Sequence, residues 1–211
     1  MTAEYRVFLV DDQPAILKAT ARLLRLENFE TAAYGSAQEF IDSDNLHARG
    51  CLILDLSMPS MNGMDLYQVL LNKKCLLPVI FLTGHGDIGT GVKAMKLGAA
   101  DFLTKPVQKE ELIAAIRSAF LKSRKRHEIE LKQKEFQQRL DSLTPRENEV
   151  LGRIVAGRLN KQIAAELGTV EQTVKIHRAR VMTKMKVDSI AELVRTVETF
   201  KSADSHSQPT P

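Results

Sequence analysis

The sequence predicts an α/β domain with a doubly wound, five-stranded parallel sheet, followed by a second, smaller all-α domain. Three observations lead to this expectation. The chain has 211 residues, which exceeds the usual size of one domain. In its first half, short apolar runs alternate with amphipathic stretches, as in parallel sheets whose crossovers are helical. In its second half, stretches with helical periodicity are joined by short turns.

The predicted strands are runs rich in Val, Ile, Leu and Phe. They are Tyr5–Val10, Phe29–Tyr34, Cys51–Leu56, Val79–Thr83 and Asp101–Thr104. The first intervening stretch has helical spacing at Ile16, Leu17, Ala19, Leu23 and Leu24. Open parallel sheets bind their ligands at the carboxyl ends of the strands, so candidate functional residues are expected there.

A highly charged helical segment without Gly or Pro runs from Lys109 to about Leu140. Steps of three and four residues relate Arg126, Ile129, Gln133, Phe136, Leu140 and Leu143. This is the spacing of a coiled-coil seam, although two of its positions are polar. A solvated connector helix and a weak dimerising coiled coil both fit the pattern.

Four shorter helices follow, at Pro145–Ala156, Lys161–Leu167, Glu171–Met185 and Ile190–Phe200. Thr144 before Pro145, with Glu147 three positions later, predicts a capping box. Short helices joined by turns, one of them containing Gly168, are typical of a helix-turn-helix. The predicted organisation is a first domain over 1–122, a helical linker over 123–141, a second domain over 142–200 and a polar, disordered tail over 201–211.

The net charge of +4 is unevenly distributed. Residues 1–106 carry ten basic and twelve acidic side chains, whereas residues 142–200 carry ten basic and seven acidic ones. The second domain is therefore the one expected to meet a polyanion. No apolar run is long enough for a membrane span and no leader precedes the first strand, so the expected location is the cytoplasm. There Cys51 and Cys75, which form no CxxC pair, are expected to be free thiols.

Acidic, hydroxyl and basic side chains stand at the ends of the predicted strands. They are Asp11 and Asp12 after the first strand, Asp55 at the third, Thr83 at the fourth and Lys105 at the fifth. Converging carboxylates repel one another, and a hard divalent cation such as Mg²⁺ resolves the repulsion. A carboxylate beside Mg²⁺, with a lysine and a hydroxyl nearby, is suited to accept a phosphoryl group.

Together with Met58-Pro59, Gly63, Phe102 and Lys105-Pro106, these residues resemble the signature of receiver domains, which have a flavodoxin-like fold. The resemblance covers residues 5 to about 122. It implies that Asp55 is the phospho-acceptor and that Asp11 and Asp12 bind Mg²⁺ with it. It also implies that Thr83 and Lys105 contact the phosphoryl group, that Phe102 turns inward when Thr83 moves, and that the Lys105–Pro106 bond is cis.

The second half resembles a LuxR-type helix-turn-helix at Leu143–Glu147, Asn160–Ala164 and Thr173–His177. Combined with the receiver and with the run Gly84–Asp87, this resembles the FixJ-like members of the NarL/FixJ class of response regulators.

The predicted helix at Glu171–Met185 and the residue after it carry five basic side chains against one acid: Lys175, Arg178, Arg180, Lys184 and Lys186 against Glu171. Val174, Val181 and Met185 share an apolar face, so the helix can pack and still enter a major groove. We expect Lys175, Ile176 and Ala179 near base edges. Residues expected mainly at the DNA backbone are Lys161, Thr173, His177, Arg178 and Arg180. Val170 stands where this family usually has Ser; it cannot cap the helix, at a cost of about 1 kcal/mol unless Thr169 takes over.

The fourth helix begins with Gly89 and Gly91, each of which costs about 0.5–1 kcal/mol of helix stability relative to Ala. One hypothesis is that this helix is loosely formed until phosphorylation orders a surface that pairs two receivers. The alternative is that tertiary packing holds the helix regardless.

The resemblance implies a transcriptional activator, phosphorylated on Asp55 by a sensor histidine kinase and dimeric when phosphorylated. Its partners would be promoter DNA and RNA polymerase. Of two alternatives, the sequence argues against the first and leaves the second open. A phosphohydrolase would need an acid two residues after Asp55, where Ser57 stands. An adaptor would use the second domain to bind protein or RNA.

Overall fold

The computed structural model describes residues 5–84 and 88–205, the backbone alone at residues 88 and 201–205. The strands are β1 (Arg6–Val10), β2 (Glu30–Tyr34), β3 (Gly50–Asp55), β4 (Val79–Thr83) and β5 (Asp101–Thr104). The helices between the strands are α1 (Pro14–Leu26), α2 (Ala37–Asp42), α3 (Gly63–Asn72) and α4 (Ile88–Lys96). They are followed by α5 (Lys109–Asp141), α6 (Pro145–Val155), α7 (Asn160–Glu166), α8 (Glu171–Met185) and α9 (Ile190–Ser205).

The five strands form one parallel sheet in the order β2-β1-β3-β4-β5, which confirms the predicted fold class. The register pairs Val10 with Leu54 across β1 and β3, and Asp55 with Leu82 across β3 and β4. Thr83 of β4 pairs with Thr104 of β5. The carboxyl ends of these four strands are therefore level, so the residues that end or follow them meet at one edge of the sheet.

Both faces of the sheet are buried because alternate strand residues enter separate cores. Phe8 and Val10 of β1 belong to one core, and Val7 and Leu9 belong to the other. Cys51 starts the same alternation in β3 and is fully buried. Both cysteines are free, and burial raises the pKa of each thiol, so each stays protonated near neutral pH.

The chain divides into two compact units, Met1–Glu128 and Ile129–Pro211. Helix α5 contributes residues to both. Its last turns supply Phe136 to the core of the second unit. The first unit thus extends beyond residue 122, the predicted domain end, and the second begins before residue 142.

Most of the periodic positions identified in the sequence around α5 make contacts within one of the two units. Arg126 donates a hydrogen bond to the Leu76 carbonyl in the first unit, at 3.4 Å. Phe136 is buried in the second unit, and Leu140 and Leu143 pack against the same core. Ile129, the remaining apolar position of the pattern, is 47% exposed, so the connector and the dimerising coiled coil both stay predictions.

Helices α6 to α9 surround the second core. The predicted capping box is confirmed, because the Glu147 amide donates to Thr144 Oγ1 and the Thr144 amide donates to Glu147 Oε2. Helix α9 continues to Ser205, into the segment 201–211 for which the sequence predicts a disordered tail. Phe200 stacks on Phe136 with ring centroids 4.4 Å apart, which anchors α9 close to its end.

Candidate phosphoryl site and nucleic-acid interface

Three side chains from three strands meet at the carboxyl edge of the sheet. Asp11 follows β1, Asp55 ends β3 and Lys105 follows β5. Lys105 Nζ lies 2.6 Å from Asp11 Oδ2 and 2.7 Å from Asp55 Oδ1. The two carboxylates are only 6% and 3% exposed, so the parallel topology alone brings a buried, charged trio together.

The electrostatics of the trio keep the lysine charged. Burial by itself lowers the pKa of Lys105, but hydrogen bonds and charge from Asp11 and Asp55 outweigh that effect, and the pKa is raised. The second oxygen of each carboxylate accepts a backbone amide: Asp11 Oδ1 from Gln13 at 2.9 Å, and Asp55 Oδ2 from Ser57 at 2.7 Å. Both acids are thus held in fixed orientations.

Asp12 has an unmet requirement. Its Oδ1 is buried and has no hydrogen-bond partner among the described residues. A buried carboxylate oxygen without a partner is costly, and a cation relieves that cost. Oxygen ligands from carboxylates are those that Mg²⁺ prefers, so the donor set of Asp11, Asp12 and Asp55 fits that ion chemically.

In the part of the chain that the structure describes, no three acidic, histidine or cysteine side chains are already grouped as a metal site. The Lys105 ammonium takes the place between Asp11 and Asp55 instead.

Thr83 and Phe102, the two residues that the resemblance singles out as a switch, lie on adjacent strands. Thr83 ends β4 and is fully buried, and its carbonyl accepts the Lys105 amide at 2.7 Å. The Lys105–Pro106 peptide bond is cis, as the resemblance implies. Phe102 is half-buried, and its ring packs against Phe81 with centroids 6.2 Å apart.

The surroundings of Phe102 include a residue whose role the sequence did not reveal. A Cβ placed on Gly91 would lie 3.3 Å from the Phe102 ring carbons Cδ1 and Cε1. Gly91 therefore allows α4 to approach the ring closely, in addition to its effect on helix propensity. Of the run Gly84–Asp87, residues 85–87 lie outside the described residues.

Helix α8 has the predicted apolar face, with Val174, Val181 and Met185 buried. Its opposite face is exposed and presents the four residues Lys175, Ile176, Ala179 and Arg180. Ile176 is 46% exposed and lies between the basic side chains of this face. This face offers both cations and apolar surface to a ligand.

Other residues predicted for the nucleic-acid interface lie at the border of this face. Thr173, His177 and Arg178 are half-buried, and Lys161 at the beginning of α7 is exposed. Arg178 Nη1 donates to Asn160 Oδ1 at 2.7 Å, which ties the middle of α8 to the first residue of α7. His177 Nδ1 is buried without a hydrogen-bond partner among the residues that the structure describes.

Lys184, one of the five basic residues, is engaged inside the second unit. Its Nζ donates to Glu147 Oε2 at 2.6 Å and to the Ser142 carbonyl at 2.8 Å. The hydrogen bond from Lys184 and those from Thr144 lower the pKa of Glu147 to about 2. Lys184 therefore stabilises the fold and contributes less free charge than the sequence suggests.

The beginning of α8 lacks a side-chain cap. Val170 is the capping residue and makes no such bond, and its side chain is 66% exposed. The Thr173 amide donates to the Val170 carbonyl at 3.0 Å, and the buried face of the helix supplies the remaining stability.

Comparison with known families and proteins matches both halves of the chain. The family model of the response regulator receiver domain matches residues 7–117, and that of the luxR family of bacterial regulatory proteins matches residues 141–197. Within the described residues, no helix combines the length and apolar character that a membrane crossing requires.

Relatives share both halves. The response regulator protein TodT of Pseudomonas putida is 42% identical over 197 residues, which cover 93% of this chain and 87% of TodT. The transcriptional regulatory protein FixJ of Azorhizobium caulinodans is 40% identical over 189 residues, or 90% of each chain. The solved structure of the response regulator StyR superposes with a TM-score of 0.82 at 40% identity, covering 93% of this chain and 100% of StyR. These relatives are regulators, and the phosphohydrolase alternative is set aside.

The chain therefore belongs to the response regulators of the NarL/FixJ class: it is a two-component transcription regulator in which a receiver domain precedes a LuxR-type DNA-binding domain.

Proposed function

We propose that this regulator is a transcriptional activator that acts in the cytoplasm. A sensor histidine kinase would phosphorylate Asp55, and phosphorylation would increase binding to promoter DNA. The observation that carries the proposal is the buried trio of Asp11, Asp55 and Lys105 at the carboxyl edge of the sheet. A structural ion pair needs only one acid for one lysine. Here two acids share one ammonium, and Asp12, the residue after Asp11, has a buried oxygen without a hydrogen-bond partner among the described residues. Such an arrangement is suited to a site that gains and loses charge.

In this proposal, an Asp55 carboxylate oxygen forms a bond to phosphorus while the bond from phosphorus to the kinase histidine nitrogen breaks. Asp11, Asp12 and Asp55 would hold Mg²⁺, which when bound neutralises charge on the transferring oxygens. Lys105 would exchange Asp11 for a phosphoryl oxygen, and its raised pKa keeps it cationic for that role. The Thr83 hydroxyl would donate to another phosphoryl oxygen, and Phe102 would follow Thr83.

The exposed face of α8 is the proposed reading surface. Lys175, Ile176 and Ala179 would meet base edges in the major groove. Contacts to the DNA backbone would come from Lys161, Thr173, His177, Arg178 and Arg180. The backbone contacts supply charge-dependent affinity, and the base contacts supply sequence preference.

Phosphorylation would favour a homodimer, which binds two half-sites with an avidity that one copy lacks. Helix α4 and the residue that follows it would supply a surface for it, because Val92, Met95 and Leu97 are 49%, 46% and 36% exposed. As an activator, the DNA-bound dimer would have RNA polymerase as a further partner.

A mobility-shift experiment tests the proposal with promoter fragments that the protein enriches from its own genomic DNA. We expect a small phosphodonor such as acetyl phosphate, in Mg²⁺, to strengthen the shift of wild type and to leave that of Asp55→Asn unchanged. Asp65→Asn is the matched control, because Asp65 is exposed on α3 and lies outside the trio. Equal stimulation of both variants would contradict the switch. Binding to RNA or protein with no DNA shift would instead support the adaptor alternative.

A further inference from the structure

The exposed face of α8 extends one turn further towards the start of the helix than Lys175. Gln172 stands three positions before Lys175 and four before Ile176, so the three side chains share one side of the helix. Gln172 is exposed, whereas Val174 is buried on the side that packs. The amide group of Gln172 makes no hydrogen bond within the part of the chain that the structure describes. It is therefore available to a ligand of this face.

The charged side chains of the exposed face each make one kind of hydrogen bond. Lys175 and Arg180 only donate. Glu171 only accepts, and its Oε1 lies 3.5 Å from Lys175 Nζ, so these two side chains form an ion pair along the helix. Donors such as Lys and Arg suit guanine, whose major-groove edge presents the two acceptors N7 and O6. They match adenine only in part, because adenine presents the acceptor N7 and a donor, the N6 amino group.

The uncharged side chains of the face differ in the hydrogen bonds that they can still make. Ile176 and Ala179 make none with their side chains, and they suit the thymine methyl group. The Thr183 hydroxyl already donates to the Ala179 carbonyl at 3.0 Å. Gln172 has the one side-chain amide in the sequence of α8, and an amide combines an acceptor oxygen with two N–H donors. Among the exposed side chains of α8, Gln172 therefore matches both groups of adenine.

Gln172 is not needed to cap α8. Val170 precedes the helix as its capping residue, which makes Thr173 the third helical residue. A capping box places its Glu or Gln at the third position, and Gln172 is second. Since Gln172 is also exposed, its replacement should leave the fold of the second unit intact.

We propose that Gln172 is a specificity-determining residue that selects adenine in the DNA site. Its side-chain N–H would donate to adenine N7, and its side-chain oxygen would accept from the N6 amino group. The inference rests on the proposed function, in which the exposed face of α8 enters the major groove. The first residues of a helix in that groove meet the base edges, and Gln172 belongs to the first turn of α8.

The spacing within the helix predicts where this adenine lies. Gln172 and Lys175 are separated by a rise of about 4.5 Å along the helix axis. Base pairs are stacked about 3.4 Å apart. The adenine should therefore lie about one or two base pairs from the position whose preference Lys175→Ala relaxes.

Selection of DNA by the full chain tests the assignment. Wild type and Gln172→Ala each enrich binding sites from one pool of random duplexes, in acetyl phosphate and Mg²⁺. We expect wild type to select an adenine that Gln172→Ala no longer prefers, while the preferences elsewhere in the site remain. Gln172→Glu should shift that position towards cytosine, whose N4 amino group donates to a carboxylate. Gln138→Ala is the matched control, since Gln138 is an exposed glutamine outside α8, and it should keep the wild-type preferences.

A modified base tests the contact at one atom, with the site that wild type enriches. Replacing the selected adenine with 7-deazaadenine removes the N7 acceptor and keeps the base pair. We expect this DNA to bind wild type about two- to tenfold more weakly, as for the loss of one net hydrogen bond. Gln172→Ala, which lacks the donor, should bind the two DNAs equally.

Unchanged sequence preference in Gln172→Ala would overturn the inference, and so would an equal effect of 7-deazaadenine on wild type and on this variant. Either result leaves the proposed function intact, because wild type still selects a defined sequence. Failure of the proposed function would look different. Wild type would then enrich no sequence from the pool, and the inference would fall with it.

Discussion

Gly91 of α4 lies against the ring of Phe102 of β5, so closely that a Cβ at position 91 would stand 3.3 Å from two ring carbons. Gly91 is buried, whereas Phe102 is only half-buried. The glycine therefore has two opposite effects. It weakens α4 by its backbone entropy, and it permits the contact between α4 and Phe102 on the strand next to the one that Thr83 ends.

We predict that Gly91→Ala gains less stability than helix propensity alone would provide. Alanine favours the helix by about 0.5–1 kcal/mol, but its methyl group forces the Phe102 ring to move by a few tenths of an ångström. Gly89→Ala is the control, since Gly89 is exposed in the same helix. Denaturant unfolding of both variants measures the difference. An equal gain in both would show that the Phe102 contact carries no cost.

The hypothesis of a loosely formed α4 leads to a prediction about its two ends. The C-terminal end is held, because Tyr67 Oη donates to the Leu97 carbonyl at 3.1 Å. We expect beryllium fluoride, a phosphoryl mimic, to raise hydrogen-exchange protection in the first turn from Ile88 more than near Leu97. Analytical ultracentrifugation under the same conditions reports dimerisation. Equal protection with and without the mimic, in a monomer, would favour the alternative that packing holds α4 throughout.

For the phosphoryl site, we predict that Asp55→Asn abolishes labelling by a small phosphodonor in Mg²⁺. The amide is a far weaker nucleophile than the carboxylate and cannot form the acyl phosphate. EDTA should block labelling of wild type as well, because the charge at Asp11, Asp12 and Asp55 would go uncompensated. Acid-labile phosphate is the measurement, and undiminished labelling of the variant would refute the assignment of Asp55.

Two variants on the exposed face of α8 should affect DNA binding in different ways. Lys175→Ala should weaken specific DNA binding by about 1–3 kcal/mol and relax sequence preference. Arg180→Ala should weaken binding to all DNA alike and reduce the slope of affinity against salt. Titrations of specific and nonspecific DNA at several salt concentrations separate the two effects. An unchanged salt slope for Arg180→Ala, together with unchanged affinity for Lys175→Ala, would mean that another surface binds DNA.

The ion pair of Glu147 and Lys184 predicts a pH-dependent stability in the second unit. Folding lowers the pKa of Glu147 from 4.5 to about 2, so its stabilising effect is complete above pH 4.5 and disappears as the pH falls towards 2. Glu147→Gln should destabilise the unit by about 1–3 kcal/mol at neutral pH, because Lys184 loses its anionic partner. The difference from wild type should shrink in acid.

Hydrogen exchange of peptides from α6 and α8 measures this stability in the full chain. Glu149→Gln is the matched control on the same helix. Glu149 pairs with Arg146 at the surface, and such exposed pairs contribute about 0–1 kcal/mol. A difference between wild type and Glu147→Gln that stays constant down to about pH 2 would contradict the role given to the charge.

The sequence by itself determined the elements and the residues at the strand ends. The strands Val79–Thr83 and Asp101–Thr104 and the helix Glu171–Met185 have the predicted bounds. This success has a physical reason: buried strands and amphipathic helices follow short-range periodicities that any stretch of chain displays. Once the strands are parallel, the meeting of Asp11, Asp55 and Lys105 follows from topology.

The tertiary structure alone decided which side chains have partners. The sequence suggests that Lys184 is a free cation, but in the structure it donates a hydrogen bond to Glu147, 37 positions away. The sequence predicts only that Gly91 weakens the helix, whereas the structure also places it against the ring of Phe102. His127 was part of the predicted linker, and the structure places its ring 3.2 Å from a carbonyl oxygen 80 positions earlier in the chain. Local patterns cannot encode such pairs, because a contact between distant positions depends on how whole elements pack and not on the spacing of residues within one of them.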